Sequence, residues 1–190
     1  AAGHPVAVLP PDAAGRLAPA AVAAALADDT GLVSAMLVNN ETGAVNPVAE
    51  IADAAHARGA RVHTDAVQAA GLLPLNVDAL GVDLLSLSAH KVGGPKGAGA
   101  LFVRAGTPFG GVQTGGSQER RRRGGTENVA AIVGFAEALA LAEAEREATA
   151  ARLCGLRDGL VARIRQSLVD RALVHTPAGD AAAGDAAAPH

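Results

Sequence analysis

Three polar clusters in the sequence each follow a predicted strand, and together they could bind and activate a small molecule. They are Asn39-Asn40-Glu41-Thr42-Gly43, Asp65-Ala66-Val67-Gln68 and Ser88-Ala89-His90-Lys91. Ligands of open α/β sheets bind beyond the carboxyl ends of the strands, so clusters at three strand ends would converge on one site. The same residue types also form turns and caps, which is the ordinary interpretation of any one cluster alone. The three clusters together favour a binding site.

Lys91 is the residue in these clusters with the most specific chemistry. The chain has 16 Lys and Arg residues, of which only Lys91 and Lys96 are lysines. A partly desolvated amine can lose its proton and attack a carbonyl to form a Schiff base, which a guanidinium cannot do. Lys91 is therefore a candidate Schiff-base residue, with a surface lysine as the alternative. Lys96 lies between Pro95 and Gly97 and is expected to be structural or solvent-facing.

Asp65, Ser88 and His90 are candidates to assist Lys91. Asp65 follows an apolar run, so its carboxylate could face the crevice and pair with a pyridinium nitrogen, as in pyridoxal phosphate enzymes. Ser88 and His90 flank the turn before Lys91 and can donate hydrogen bonds to a phosphate. Each also has an ordinary alternative as a capping or structural residue.

The hydrophobic periodicity predicts the elements that must position these clusters. Helices are predicted near 19–27 and 47–58, and strands at 5–10, 32–38, 60–64, 82–87 and 99–104. A helical pattern runs from 127 to about 169, where Gly155 and Gly159 predict a break or kink between 144 and 159. Strands interleaved with helices predict an α/β fold, with a mostly parallel sheet covered on both faces.

Composition excludes several classes of function. The 190 residues are 49% hydrophobic and 18% charged, which is typical of a globular chain and not of a disordered one. A net charge of -3 and 2% aromatic residues argue against binding to nucleic acid or to an anionic membrane. The six His residues show no helical metal-ligand spacing, and no apolar stretch is long enough to cross a bilayer. One cysteine fits a reducing compartment, so a cytoplasmic location is expected.

Four motifs in register resemble the pyridoxal-phosphate cysteine desulfurases of the NifS and IscS type, within the class V aminotransferase superfamily. They are Asn39 to Gly43, His63 to Gln68, Ser88 to Lys91 with Gly94-Pro95-Lys96-Gly97, and Gly115 to Arg120 running on to Thr126. The resemblance implies fold type I of the pyridoxal phosphate transferases. It places residues 1–145 in part of the large domain and 146–175 at the start of the small domain. The low-complexity composition of 176–190, mostly Ala, Gly, Asp and Pro, predicts a poorly ordered tail.

The resemblance also implies roles around the cofactor, pyridoxal 5'-phosphate. Lys91 would form the internal Schiff base, and Asp65 would pair with the ring nitrogen. Asn40 and Gln68 would hydrogen-bond near the phenolic oxygen.

Four further residues complete the implied site. Ser88 and His90 would hold the phosphate, and Ala66 would pack against one face of the ring. Thr126 would reach the phosphate bound by the other subunit, so the resemblance implies a homodimer.

An enzyme of this family converts L-cysteine to L-alanine and transfers the sulfur as a persulfide to an acceptor, such as an iron–sulfur scaffold or a tRNA-thiolation enzyme. The alternatives are a selenocysteine lyase, a small-amino-acid aminotransferase, or a catalytically inert fragment of the fold. The family's ring-stacking His, part of its phosphate-binding turn and its nucleophilic Cys have no match in these 190 residues. We therefore expect this piece to be inactive on its own.

Two features invite a different interpretation. Cys154 lies in the helical stretch, and we expect a packed cysteine there, not the sulfur acceptor. The run Arg120–Arg123 lies in a Gly-rich loop with no aromatic residues, so it is expected at the rim of the site and the dimer interface instead of on a nucleic acid.

Overall fold

The structure is a computed structural model that describes residues 3–168 and 171–175. In chain order the elements are α1 (Pro19–Ala25), β1 (Leu32–Met36), α2 (Val48–His56), β2 (Arg61–Asp65), β3 (Leu84–Ser88), a 3-10 helix (Ala89–Val92), β4 (Gly99–Val103), α3 (Gln118–Arg121) and α4 (Val129–Leu168). The predicted low-complexity tail, residues 176–190, lies outside the described residues.

The four strands form one sheet in the order β1-β2-β3-β4. The first three strands are parallel, and β4 runs antiparallel to β3. The register aligns Met36 with Asp65 and Asp65 with Ser86, so the carboxyl ends of three parallel strands lie along one edge of the sheet. The polar clusters predicted from the sequence follow these strand ends.

Helix α2 covers one face of the sheet. The buried residues of α2 recur at helical spacing and are Val48, Ile51, Ala52 and Ala55. Three of them, Val48, Ala52 and Ala55, belong to the same hydrophobic core as Val62 of β2. The opposite face carries polar side chains, and Leu32 on that face is 54% exposed. The sequence predicted helices on both faces of the sheet. In the part of the chain that the structure describes, helices cover one face.

Two predictions about single elements are wrong. Residues 5–10 form no strand: Val6 and Val8 are 76% and 87% exposed, because no strand of the described residues pairs with them. Helix α4 is 40 residues long and passes without a break through Gly155 and Gly159. The helix therefore also runs through the predicted domain boundary at 145/146.

The first half of α4 packs closely on the loops that follow β2 and β3. A Cβ atom at Gly94 would lie 3.0 Å from the carbonyl oxygen of Ala89 and 3.3 Å from Ala138 Cβ, so a larger residue would have to push α4 or the turn away by a few tenths of an ångström. At Gly71 the corresponding distance to Ala142 Cβ is 3.0 Å. Helix α4 thereby fixes the loop that carries Lys91. Within the described residues, no helix combines the length and the hydropathy that a membrane span requires.

Thr64 offers a test of how the core is packed. Its side chain is fully buried, and its hydroxyl has no hydrogen-bond partner among the described residues. Thr64→Val keeps the shape and removes the unpaired hydroxyl, so we expect the free energy of unfolding to rise by about 1 kcal/mol. Urea unfolding of the full-length protein measures this change.

Thr30→Val is the matched control for that prediction. The Thr30 hydroxyl accepts a hydrogen bond from the Ala27 N–H at 2.9 Å, so its loss should not stabilise the protein. A decrease in stability for Thr64→Val, or equal gains for both variants, would show that the Thr64 hydroxyl is satisfied.

Candidate active site

Lys91 lies in the 3-10 helix that directly follows β3. Ala89 begins this turn, is fully buried, and donates its N–H to the Ala98 carbonyl oxygen at 3.1 Å. Gly93 ends the turn in a left-handed conformation with φ 80°, which glycine adopts without strain. The turn is thus fixed at both ends, while the side chain of Lys91 is exposed.

Ser88 and His90 are paired beside Lys91. The Ser88 hydroxyl and His90 Nδ1 are 2.8 Å apart, which orients the imidazole relative to the end of β3. Ser88 is half-buried and His90 is exposed. The pair can present hydroxyl and imidazole donors to an anion at the strand end.

Asp65 ends β2 and lies between Met36 and Ser86 in the sheet register. One of its carboxylate oxygens, Oδ1, accepts the Val67 N–H at 2.9 Å, so the residue shapes the turn that leaves the strand. The side chain is half-buried at the carboxyl edge of the sheet. Turn formation and a ligand-binding role are compatible here, because a carboxylate has two oxygen atoms.

In the cluster after β1, one asparagine forms the turn and the other is left available for a ligand. Asn39 forms the turn: its Oδ1 accepts the N–H groups of Glu41 and Thr42, both at 2.9 Å. Asn40 is exposed, and its side chain makes no hydrogen bond within the described residues. Gln68, in the turn after β2, is half-buried.

The structure brings most of the predicted site residues to one edge of the sheet. Asp65, Ser88, His90 and Lys91 follow neighbouring strands, and Asn40 and Gln68 lie in the loops after β1 and β2.

Ala66 directly follows Asp65 at this edge, whereas Thr126 lies in a different loop. Ala66 is fully buried in the main core, and its contact with a ring face stays a prediction. Thr126 lies between α3 and α4, is exposed, and makes no hydrogen bond in the part of the chain that the structure describes.

The donor set at this edge fits pyridoxal 5'-phosphate. Lys91 supplies an amine for the aldehyde, Asp65 an acid for the ring nitrogen, and Ser88 with His90 donors for the phosphate. Residues 3–168 and 171–175 contain no group of three or more His, Cys, Asp or Glu that could hold a metal ion.

The sequence interpretation gave no role to a hydrogen-bond chain on the exposed face of the sheet. His63 Nδ1 is 2.8 Å from Ser34 Oγ, and His63 Nε2 is 2.6 Å from Ser86 Oγ. Burial lowers the pKa of His63, and the nearby Asp65 carboxylate only partly offsets this effect. The signal in the sequence is that Ser34 and Ser86 each lie between two apolar residues of a short strand, and that His63 lies between the buried Val62 and Thr64.

A second missed cluster surrounds Asp83, just before β3. Its carboxylate is 2% exposed and accepts hydrogen bonds from the Val62 N–H at 2.8 Å and from Arg61 at 3.1 Å, with His56 Nε2 at 2.8 Å. Burial alone would raise the pKa of Asp83. The hydrogen bonds from His56 and Val62, with the charges of His56 and Arg61, outweigh burial and hold that pKa below its usual value. This cluster ties α2, β2 and β3 together.

The Gly-rich loop before α4 contains a left-handed turn. Glu119, Arg120 and Arg121 have φ values of 49°, 57° and 66°, which side-chain-bearing residues rarely adopt. Arg121→Gly removes this strain, so we expect the free energy of unfolding to rise by about 1 kcal/mol. Arg122, with φ −93°, is the control, and Arg122→Gly should give no increase. Equal effects on thermal or urea unfolding would contradict the strain argument.

Comparisons with known proteins identify the family. The family described as "Aminotransferase class-V" matches residues 1–182 of the chain. This chain belongs to the class-V aminotransferase family. It is 45% identical over 168 residues to "Cysteine desulfurase IscS" of Dictyoglomus turgidum, which covers 88% of this chain and 43% of that protein.

Solved structures of class-V relatives agree with this assignment. A "NifS-like protein" superposes with a TM-score of 0.83 at 38% identity, over 87% of this chain and 46% of that one. The structure described as "SspA in complex with cysteine" has a TM-score of 0.70 at 40% identity, over 72% of this chain and 40% of that one. The predicted α/β fold class and the resemblance to the NifS and IscS type are confirmed. The chain spans less than half the length of these relatives.

Proposed function

We propose that the full-length protein is a pyridoxal-phosphate-dependent cysteine desulfurase, which converts L-cysteine to L-alanine and retains the sulfur as an enzyme persulfide. The observation that carries this proposal is the position of Lys91, directly after His90 in the 3-10 turn that follows Ser88 and at the same sheet edge as Asp65. Relatives named cysteine desulfurase, and a relative solved with cysteine, support L-cysteine as the substrate.

Lys91 is the residue that would hold the cofactor covalently through Nζ. Pyridoxal 5'-phosphate, when bound, withdraws electrons from the substrate and so stabilises negative charge at its α-carbon. The fixed 3-10 turn restricts where the Lys91 backbone lies, while the exposed side chain can reach over the strand ends. As a free amine, Nζ can take a proton from the substrate α-carbon and return it.

Asp65, Ser88 and His90 would orient the cofactor. The Asp65 carboxylate is held by its bond from Val67 N–H and can keep a proton on the ring nitrogen. The Ser88–His90 pair can bind the phosphate, which fixes the distance from Lys91 to the ring. Asn40 and Gln68 can donate amide hydrogen bonds near the phenolic oxygen.

The sulfur acceptor within the enzyme is proposed to be a thiol other than Cys154. Cys154 is half-buried within the long helix α4. A half-buried thiol fixed in a helix cannot move between the bound substrate and a partner protein, as a sulfur carrier must. Downstream, we propose a protein acceptor, such as an iron–sulfur scaffold or a tRNA-thiolation enzyme.

We further propose that the protein acts as a homodimer in the cytoplasm. Thr126, Arg120, Arg121 and Arg123 are exposed before α4, where a second subunit could cover them, and Arg122 is half-buried. In a dimer, Thr126 would contact the phosphate of the neighbouring site. Sedimentation of the cofactor-loaded protein tests the dimer directly.

The experiment that tests the proposed function follows the products from L-cysteine. The full-length, cofactor-loaded protein should form alanine and protein-bound sulfur in equal amounts, and a thiol reductant should release that sulfur as sulfide. Cys154→Ser should retain this activity, because Cys154 is not the acceptor.

Other products would identify the alternatives. Release of selenide from L-selenocysteine without reaction of L-cysteine would indicate a lyase. Transfer of an amino group from L-alanine to a 2-oxo acid, without sulfur release, would indicate an aminotransferase. Loss of activity in Cys154→Ser, with the fold intact, would contradict the assignment of the acceptor thiol.

A further inference from the structure

The exposed face of the sheet carries a hydrogen-bond chain that crosses three strands. Ser34 of β1, His63 of β2 and Ser86 of β3 are joined by contacts of 2.8 and 2.6 Å through both nitrogens of the His63 ring. A neutral imidazole has one donor and one acceptor nitrogen, and two hydroxyl groups can satisfy both. The two hydroxyl groups therefore fix the ring from both sides, and burial of the ring favours its uncharged form.

Asp65 is the nearest acid to this ring along the same strand. It lies two residues after His63, so the two side chains point to the same face of β2. The strands on either side, β1 and β3, contain no ionisable residue. Arg61 begins β2 and its guanidinium is engaged by Asp83, 3.1 Å away. The charge facing His63 is thus the Asp65 carboxylate.

On the basis of the proposed function, we propose that His63 is a positioning residue: Ser34 and Ser86 hold its uncharged ring beside Asp65, and this reserves the carboxylate for the cationic ring nitrogen of the cofactor. A protonated His63 would be a second cation competing for one carboxylate. Its half-buried position and the desolvation that accompanies it favour the neutral ring near neutral pH.

Linkage makes this arrangement measurable. If a cation at the ring nitrogen and a proton on His63 compete for Asp65, ligand binding must lower the pKa of His63. Protonation of His63 must weaken ligand binding by the same factor. Each tenfold loss of affinity corresponds to one unit of pKa.

The experiment uses pyridoxamine 5'-phosphate as the probe, because it lacks the aldehyde and binds without forming a bond to Lys91. The full-length protein is labelled at histidine, and the His63 ring resonance, assigned by its loss in His63→Gln, is titrated with and without the probe. We expect the probe to lower the His63 pKa by about half a unit or more, a threefold or larger effect.

His63→Gln separates positioning from folding. Glutamine retains a donor and an acceptor for Ser34 and Ser86 but does not titrate. We expect this variant to bind the probe at pH 8 within threefold of wild type, and to lose less affinity than wild type between pH 7 and pH 5. Ser34→Ala is the second variant. It removes one of the two hydroxyl contacts and exposes the ring to water, so the smaller desolvation should raise the His63 pKa and weaken binding severalfold.

Two results would overturn the inference. One is a His63 pKa that does not change when the probe is bound, and the other is an acid-side loss of affinity in His63→Gln equal to that of wild type. Absence of probe binding to wild type at pH 8 would overturn both this inference and the proposed function. Binding of the probe with an unmoved His63 pKa would remove this inference alone.

Discussion

Lys91→Ala is expected to abolish the covalent cofactor adduct of the full-length protein. Lys91 is the lysine at the strand-end cluster, and alanine has no amine with which to bind an aldehyde. The visible absorbance of pyridoxal 5'-phosphate on the protein should therefore be absent, and borohydride should fix no cofactor. Desulfurase activity should fall by at least about a thousandfold, as for loss of a covalent catalytic group.

Lys96→Ala is the control, since Lys96 is the other lysine of the chain segment and is exposed in the loop after Pro95. It should retain the adduct, its absorbance and most of the activity. An adduct that survives in Lys91→Ala and disappears in Lys96→Ala would exchange the roles of the two residues and contradict the proposed site.

Asp83→Asn is expected to produce the largest loss of stability. The Asp83 carboxylate is 2% exposed and accepts hydrogen bonds from the Val62 N–H and from Arg61, with His56 also in contact. An amide cannot satisfy all of these groups, so the free energy of unfolding should fall by about 3 kcal/mol. Asp78→Asn is the control, because Asp78 is 79% exposed in its ion pair with Arg104 and should change stability by less than about 1 kcal/mol.

The Asp83 carboxylate should also make the stability of the protein depend on pH. Its pKa is lower in the folded protein than in the unfolded chain, so its stabilising contribution is complete above about pH 4 and is lost as pH falls through the folded pKa. The stability difference between wild type and Asp83→Asn should therefore narrow below about pH 4. A difference that stays constant down to pH 2 would show that the charge of Asp83 contributes nothing.

The strand ends could be predicted from the sequence because local signals agree there. Asp65 and Ser88 each end a short predicted strand, and parallel strands place such ends along one edge. The family resemblance implied the roles of these residues, and the structure shows which groups each of them contacts. Asn39 shows the limit of local interpretation: the pattern could not tell that it forms the turn while its neighbour Asn40 remains exposed.

The remaining features depend on contacts that the sequence order hides. Ser34, His63 and Ser86 are far apart in the chain, and only the sheet register brings them together. Helix α4 continues through Gly155 and Gly159 because each glycine costs only about 1 kcal/mol, and the surrounding Ala, Leu and Arg residues favour helix. Residues 5–10 form an apolar run of the length of a strand, but no described strand pairs with them.

The central claim is that the Lys91 amine and the Asp65 acid serve one molecule of pyridoxal 5'-phosphate. The most direct measurement reduces the cofactor-loaded, full-length protein with borohydride and locates the phosphopyridoxyl group by mass spectrometry of its peptides. We predict the modification on Lys91, with much less of it in Asp65→Ala. Modification of Lys96 or of another lysine instead, or an equal yield without the acid, would contradict this account.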